Sequence, residues 1–195
     1  MDGKLRFGQK LSENAYAKQF GVSRTPVREA ILSLASLNLL TVRPQSGTFV
    51  VSFSAESLRH LFDVRYVLER SGVELAGPEE RIRLAQALAE QACSTQHAHE
   101  AHSEAMWFHA QLVNAAQNPL LTQLYRPVQV CAQAVRSRLD RTPEMEAAAE
   151  RDHQGIIAAL QDDDFGRFEH KLKDHLEWVL AMLLNKPEIL GLERA

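Results

Sequence analysis

Cysteine is nearly missing from this chain. Cys93 and Cys131 are the two in 195 residues, too few for a disulfide framework and without Cys-x-x-Cys spacing; they are expected as buried free thiols. Long apolar runs are missing as well: none approaches the ~20 residues of a membrane span, and no secretory signal opens the chain, so a cytoplasmic protein is expected. Internal repeats and low-complexity segments are absent, and so is the His-Glu-x-x-His pattern of zinc hydrolases. Residues 1–53 contain no histidine; all eight lie beyond. Acidic charge is scarce there too, with seven Lys or Arg against three Asp or Glu, while the remainder carries 15 against 22. A small basic part joined to a larger acidic one points to a polyanion met by the first part alone. With 45% hydrophobic residues, the chain can build one large or two modest cores.

What is present centres on Gly21-Val-Ser-Arg-Thr-Pro-Val-Arg-Glu-Ala30. An apolar-patterned helix over Leu11 to Phe20 ends at Gly21, which can take a left-handed backbone, and Ser23 follows as an N-cap. The pattern predicts a helix-turn-helix. The second helix offers Arg24, Thr25 and Arg28 in its first turns, and Val27, Ala30, Ile31, Leu34 and Leu37 as the face that packs. Arginine forks match phosphate or the guanine edge, and hydroxyls at a helix start bind phosphate. Arg24 and Arg28, four apart, share a face. Asn38 is a plausible left-handed C-cap. Leu39 to Val42 and Thr48 to Phe53 then read as strands around Arg43, Pro44, Gln45, Ser46 and Gly47, a wing whose tip can touch DNA.

Ser23-Arg-Thr-Pro-Val-Arg-Glu-Ala30, with Leu11-Ser-Glu13 before it and the wing Arg43-Pro-Gln-Ser-Gly-Thr-Phe-Val50 after it, resembles the GntR family of bacterial regulators over residues 3 to 53. Asn38 stands where that family usually has glycine. The resemblance begins without the helix that precedes residue 3 in the family, which packs under the recognition helix and bears on DNA affinity. It implies DNA contacts from Ser23, Arg24, Thr25, Arg28, Arg43, Gln45, Ser46 and Gly47.

From Ser54 onward the periodicity predicts only helices. The first is capped by Ser54 and runs to Gly77, and Pro78 opens the second. A third spans about Glu100 to Gln117 and stops at Asn118-Pro119. A fourth reaches about Leu139 with Pro127 as a kink, a fifth starts at Thr142-Pro143-Glu144, and a sixth runs from Phe165 to about Leu184. The expected fold is mostly α: a winged helix-turn-helix over residues 1–53 and an all-helical bundle over 54–195, joined by a linker of Ser52 to Ala55.

In an antiparallel pair, His153 and His175 lie ~12 and ~16 Å from the shared Asp162-Asp163-Asp164 turn, near one level. His109 sits at a comparable distance from the Asn118 end. Three imidazoles suffice for a first-row metal with positions left for water or an anion. Spacing alone leaves exposed or hydrogen-bonded histidines open as the alternative.

The segments Leu61-Phe-Asp-Val-Arg65 to Glu69, Phe108-His109 to Asn118, and Asp152-His153 to His175 resemble the FCD effector domain of FadR-type GntR regulators over about residues 54 to 185. That resemblance implies a bundle cavity in which an Asp and three His hold zinc or nickel, with a small organic acid completing the site. The three histidines fall on His109, His153 and His175. The aspartate falls on Ala105, and neighbouring Glu104 points ~100° away around the helix. His97, His99, His102 and His170 match no family position, and solvated surface positions are expected for them.

Arg65 reads either as an effector-carboxylate clamp or as an i,i+4 ion pair with Glu69, and Asn118 as an effector contact or a helix stop. The resemblance implies a homodimeric repressor that binds a palindromic operator and responds to a small carboxylate. Two other readings are a metal-dependent hydrolase built on the three-His centre and a direct sensor of the metal.

Overall fold

The computed structural model describes residues 5–92 and 101–186, with the side chains of 101–105 excepted. The chain starts with a two-residue strand, β1 (Lys10–Leu11), and two short helices, α1 (Glu13–Phe20) and α2 (Arg24–Ser36). Leu11 was expected to start the first helix. It instead pairs with Thr48 in the sheet, and Ser12 caps α1 by accepting from Ala15 N. Gly21 has φ 66 and Asn38 φ 57, so both helix ends close through left-handed residues.

The buried face of α2 is narrower than expected. Val27 and Ile31 are buried and Ala35 packs beside them, whereas Ala30 and Leu34 face solvent. The row 27-31-35 points inward; Leu34 lies ~60° and Ala30 ~100° around the helix from Ile31. With Leu11, Ala17 and Leu40 these residues form the small core.

Strands β2 (Leu40–Arg43) and β3 (Gly47–Val50) form the wing hairpin, and the sheet order is β1-β3-β2. At its tip Ser46 N donates to Arg43 O at 3.1 Å, with φ 60 at Gln45 and 113 at Gly47.

The rest is helical: α3 (Ala55–Leu75), α4 (Pro78–Ala92), α5 (Ala101–Asn114), α6 (Pro119–Arg136), α7 (Pro143–Gln161) and α8 (Phe165–Leu184). The expected caps Ser54 and Thr142 are in place, and Asp164 of the expected turn is a further one. Ser54 and Ser57 form a reciprocal capping box, and Thr142 and Asp164 accept from Met145 N and Arg167 N. α3 lies at the centre, packed against α5, α6 and α8, while α7 pairs with α8 and α4. Its inward stripe is Leu58, Phe62, Arg65, Glu69, Gly72 and Val73. Two charged residues thus occupy core positions.

Gly72 sets the distance between α3 and α5. A Cβ there would lie 2.3 Å from Leu112 O and 2.5 Å from Val113 Cα, so only glycine lets the backbones meet one turn away from Glu69 and His109. Gly72→Ala is expected to destabilise the protein by at least ~2 kcal/mol, since backbone rather than a flexible side chain must yield. Urea denaturation monitored by circular dichroism measures this; a loss under ~0.5 kcal/mol, the range of a neutral surface substitution, would remove the glycine from the packing argument.

The N-terminal segment meets the bundle through specific contacts. Phe7 packs edge-on against Phe53, the Arg138 guanidinium lies over the Phe7 ring at 4.9 Å and donates to Leu5 O, and Cys131 Sγ approaches Leu37 O and Asn38 O at 3.6 Å each. Cys131 is a buried free thiol whose pKa is pushed up by burial to about 11, while Cys93 lies outside the described residues. Among the described residues no helix is long and apolar enough to cross a membrane.

Candidate metal centre, ligand cavity and recognition helix

Most of the residues expected to contact DNA are solvent-exposed. Ser23 occupies the N-cap of α2, but its side chain makes no capping bond, contrary to the expected cap, and Thr25 is exposed. Arg24 and Arg28 are each 62% exposed, and both reach the same carboxylate, Glu13, at 3.4 Å. Glu13 thereby aligns the two guanidinium groups on one side of the helix. On the wing, Arg43 lies over the Phe49 ring at 4.9 Å, Gln45 and Ser46 are exposed, and Gly47 is half-buried next to them.

In the bundle, the α7–α8 pairing brings His153 Nε2 to 3.3 Å from His175 Nε2, and α5 adds His109. One ligand atom from each of the three lies within 4.8 Å of the others. The orientation of the rings has identifiable causes. His109 Nδ1 is 2.7 Å from Glu69 Oε2, and His175 Nδ1 is 3.3 Å from Asp152 Oδ2, so each carboxylate holds Nδ1 and turns Nε2 inward. His153 is fixed by stacking on Phe108, centroids 4.0 Å apart. His109 Nε2 is buried without a hydrogen-bond partner.

These features fit a metal ion. An unpartnered buried ring nitrogen is costly unless something coordinates it. A tetrahedral ion ~2.0–2.1 Å from each nitrogen would place its ligands ~3.4 Å apart, the spacing that His153 and His175 already have. Ala105 and Glu104 belong to the turn of α5 whose side chains are not described, as does His102; His97 and His99 lie outside the described residues. His170 is exposed and pairs with Asp174 at 3.4 Å.

Burial holds all three clustered imidazoles below their ordinary range, helped at His109 by Arg65 and at His153 by His175; Asp152 opposes the shift at His175 without reversing it. The metal-free fold therefore refuses protons that the unfolded chain takes up below about pH 6.5. Its stability is full above that pH and falls as the pH drops towards the folded-state values. Glu69, lifted by burial, works in the opposite direction, but it is one group against three. Melting temperature in chelator should decline from pH 7 to 5, and less so with saturating zinc, which keeps the imidazoles deprotonated. A flat profile in chelator would overturn the buried neutral cluster.

Arg65 combines the two readings the sequence left open. Its Nε donates to Glu69 Oε1 at 2.6 Å, both side chains being buried, and Glu69 holds the guanidinium above its ordinary pKa despite burial. Its Nη1 has no partner, and the residue lines a cavity beside the imidazole cluster. The other polar walls are His109, Tyr125, Gln129, Gln133 and Arg136, with Met106 and Ala132 as the apolar remainder; the space is about 350 Å³ including its mouth. Tyr125 OH donates to Glu69 Oε1 at 2.6 Å, and Gln129 Nε2 to Met106 O at 3.1 Å. Burial, with Arg65 and Arg141 nearby, pushes Arg136 down to about 9.

Glu69, Asp152, Tyr125, Gln129, Gln133 and Arg136 were not singled out as site residues from the sequence. Their signal was there: 125, 129, 132/133 and 136 fall on one face of a helix, and 65 and 69 continue the apolar stripe 58-62. Asn118 stands apart from the cavity. It is exposed and caps α6, its Oδ1 accepting from Leu120 N and Leu121 N.

Comparison with known proteins gives two family matches: the bacterial regulatory proteins of the gntR family over residues 1–50, and the FCD domain over residues 60–177. The probable D-xylose utilization operon transcriptional repressor of Paenarthrobacter nicotinovorans is 28% identical over 179 residues, 89% of this chain and 79% of that one. Several further curated regulators align over much shorter stretches; the gluconate operon repressor of Bacillus subtilis, 38% identical over 69 residues, is matched over only 28% of its length. A GntR transcriptional regulator from Rhodococcus sp. RHA1 has a similar structure, with TM-score 0.73 and 27% identity, covering 94% of this chain and 91% of that one. The metal-free FCD domain of TM0439 shares the fold at TM-score 0.54 and 21% identity, covering 69% of this chain and 96% of that one.

Proposed function

The chain belongs to the GntR family of bacterial regulatory proteins and carries an FCD domain, and from that premise we propose a cytoplasmic, homodimeric repressor whose grip on a palindromic operator is set by a small carboxylate bound at a zinc or nickel centre. Residues 1–53 read the DNA, and residues 54–195 bind the effector and pair the subunits. The observation that carries the reading is a cluster of three imidazoles, one of which, His109, also lines a cavity with two arginines.

His109, His153 and His175 would hold the ion, which when bound supplies a Lewis-acidic anchor for an anionic oxygen. Arg65 adds a charge-assisted donor from the cavity wall. Glu69 and Asp152 are committed to orienting histidines, which argues against a free general base and thus against the hydrolase reading. The signal passes along α6. That helix carries Tyr125, Gln129, Gln133 and Arg136 on the cavity, Cys131 against the end of the recognition helix, and is followed by Arg138 on Leu5 and Phe7.

The test is operator binding by fluorescence anisotropy, with metal-loaded protein titrated against small organic acids. An acid that shifts operator affinity by about 5- to 150-fold, the ordinary range of allosteric coupling, is expected. Arg138→Ala should bind the same acid with unchanged affinity but transmit less than half of that coupling free energy. Operator affinity indifferent to both metal and acids would overturn the reading.

A further inference from the structure

The two arginines of the cavity are in different electrical situations. Arg65 has Glu69 against it, an ion pair that leaves the wall close to neutral there. Arg136 lines the same cavity, and no carboxylate among the described residues pairs with it. Arg65 and Arg141 act on it as like charges and Glu69 opposes them; Arg141 is itself engaged with Glu146 at 3.7 Å. The amide of Gln133 is likewise without a partner among the described residues, and it lies one turn from Arg136 on the same face of α6.

A single carboxylate placed at the imidazole cluster and Arg65 leaves the half-buried Arg136 without a carboxylate partner. A half-buried guanidinium without a carboxylate partner gains a charge-assisted, bidentate contact from a second carboxylate.

We propose that the effector is a small dicarboxylate, one carboxylate taken by the metal centre and Arg65 and the other by the fork of Arg136 with the Gln133 amide beside it. The assignment rests on the metal-centre reading above and adds to it the charge and chemical class of the ligand. The space is small even with its open mouth counted, about 350 Å³, so short-chain acids are the probes.

The experiment is isothermal titration of zinc-loaded protein with succinate and glutarate, and with butyrate and valerate as monoacids of matched length. Succinate or glutarate is expected to bind at least about tenfold more tightly than its matched monoacid, the scale of one charge-assisted bidentate contact. Arg136→Met should bring that ratio to about one and leave monoacid affinity unchanged, while Arg136→Lys, which keeps the charge but loses the fork, should retain part of it. Melting temperatures of the ligand-free variants, within a few degrees of the parent, establish that the bundle is folded. Matched acids binding alike in the parent, or a diacid preference that survives in Arg136→Met, overturns the dicarboxylate assignment and leaves the metal-centre reading standing. Binding of neither class, or binding indifferent to His153→Ala, overturns that reading and the assignment with it.

Discussion

Replacing Arg24 and Arg28 together with alanine is expected to lower specific operator affinity at least a hundredfold and leave the fold intact. The two consequences have separate causes. Both side chains are 62% exposed, and their pairs with Glu13 at 3.4 Å are surface ion pairs of the kind that contribute ~0–1 kcal/mol to stability, so thermal unfolding should barely move. On DNA each arginine is worth ~1–3 kcal/mol if it forks onto a base, or one counterion if it sits on phosphate. The salt dependence tells these apart. A phosphate contact lowers the slope of log affinity against log salt by about 0.9, whereas a base contact relaxes sequence preference at one position and leaves the slope alone. Anisotropy titrations at several salt concentrations, with operator and scrambled duplexes, measure both quantities. Unchanged operator affinity in the double variant would sink the assignment of α2 as the recognition helix.

The recognition end of the molecule was almost wholly legible in the sequence because its signals are local. Gly21, Pro44, Gly47 and Asn38 each report on the backbone within a few residues and lie where turns and caps were expected, while Ser23 takes the N-cap position without a capping bond. The exceptions have tertiary causes. Leu11 is drawn into a strand by β3, which arrives from 37 residues further along, and Leu34 remains exposed because the small core is filled by Val27, Ile31 and Ala35.

In the bundle, the helical hairpin alone put His153 and His175 near one level, and the 3.3 Å between their Nε2 atoms follows from that register. What the sequence hid was the outer layer of the site. Glu69 is four residues from Arg65, and a local reading stops at that pair, yet its second oxygen faces His109, 40 residues away, and Tyr125, 56 away, donates to the first. Only the close approach at Gly72 brings those groups together. Arg136 was passed over for the same reason: nothing within a few residues marks it, and its setting depends on the three helices that enclose the cavity.

His153→Ala should abolish metal retention and, with it, the rise in melting temperature that small acids induce. In the metal-free fold, His153 and His175 present Nε2 atoms to each other at 3.3 Å, so one must hold a proton towards the other or two lone pairs face across the gap. A divalent ion would take both lone pairs and the unpartnered Nε2 of His109. Removing one of three protein ligands leaves two, too few for retention against a chelator. Acid binding then lacks its anchor, and stabilisation worth ~2.7 kcal/mol at a ligand concentration a hundred times Kd disappears. His153 is the informative position because it is half-buried, whereas alanine at His109 or His175 would also empty a fully enclosed site. His170→Ala, at an exposed histidine paired with Asp174, should change neither readout. Metal content by mass spectrometry after dialysis against chelator, paired with thermal shifts in the presence of organic acids, decides the matter. If metal-free parent protein gives the same acid-induced shifts, the ion plays no part in effector binding, and Arg65 and Arg136 must recognise the acid alone.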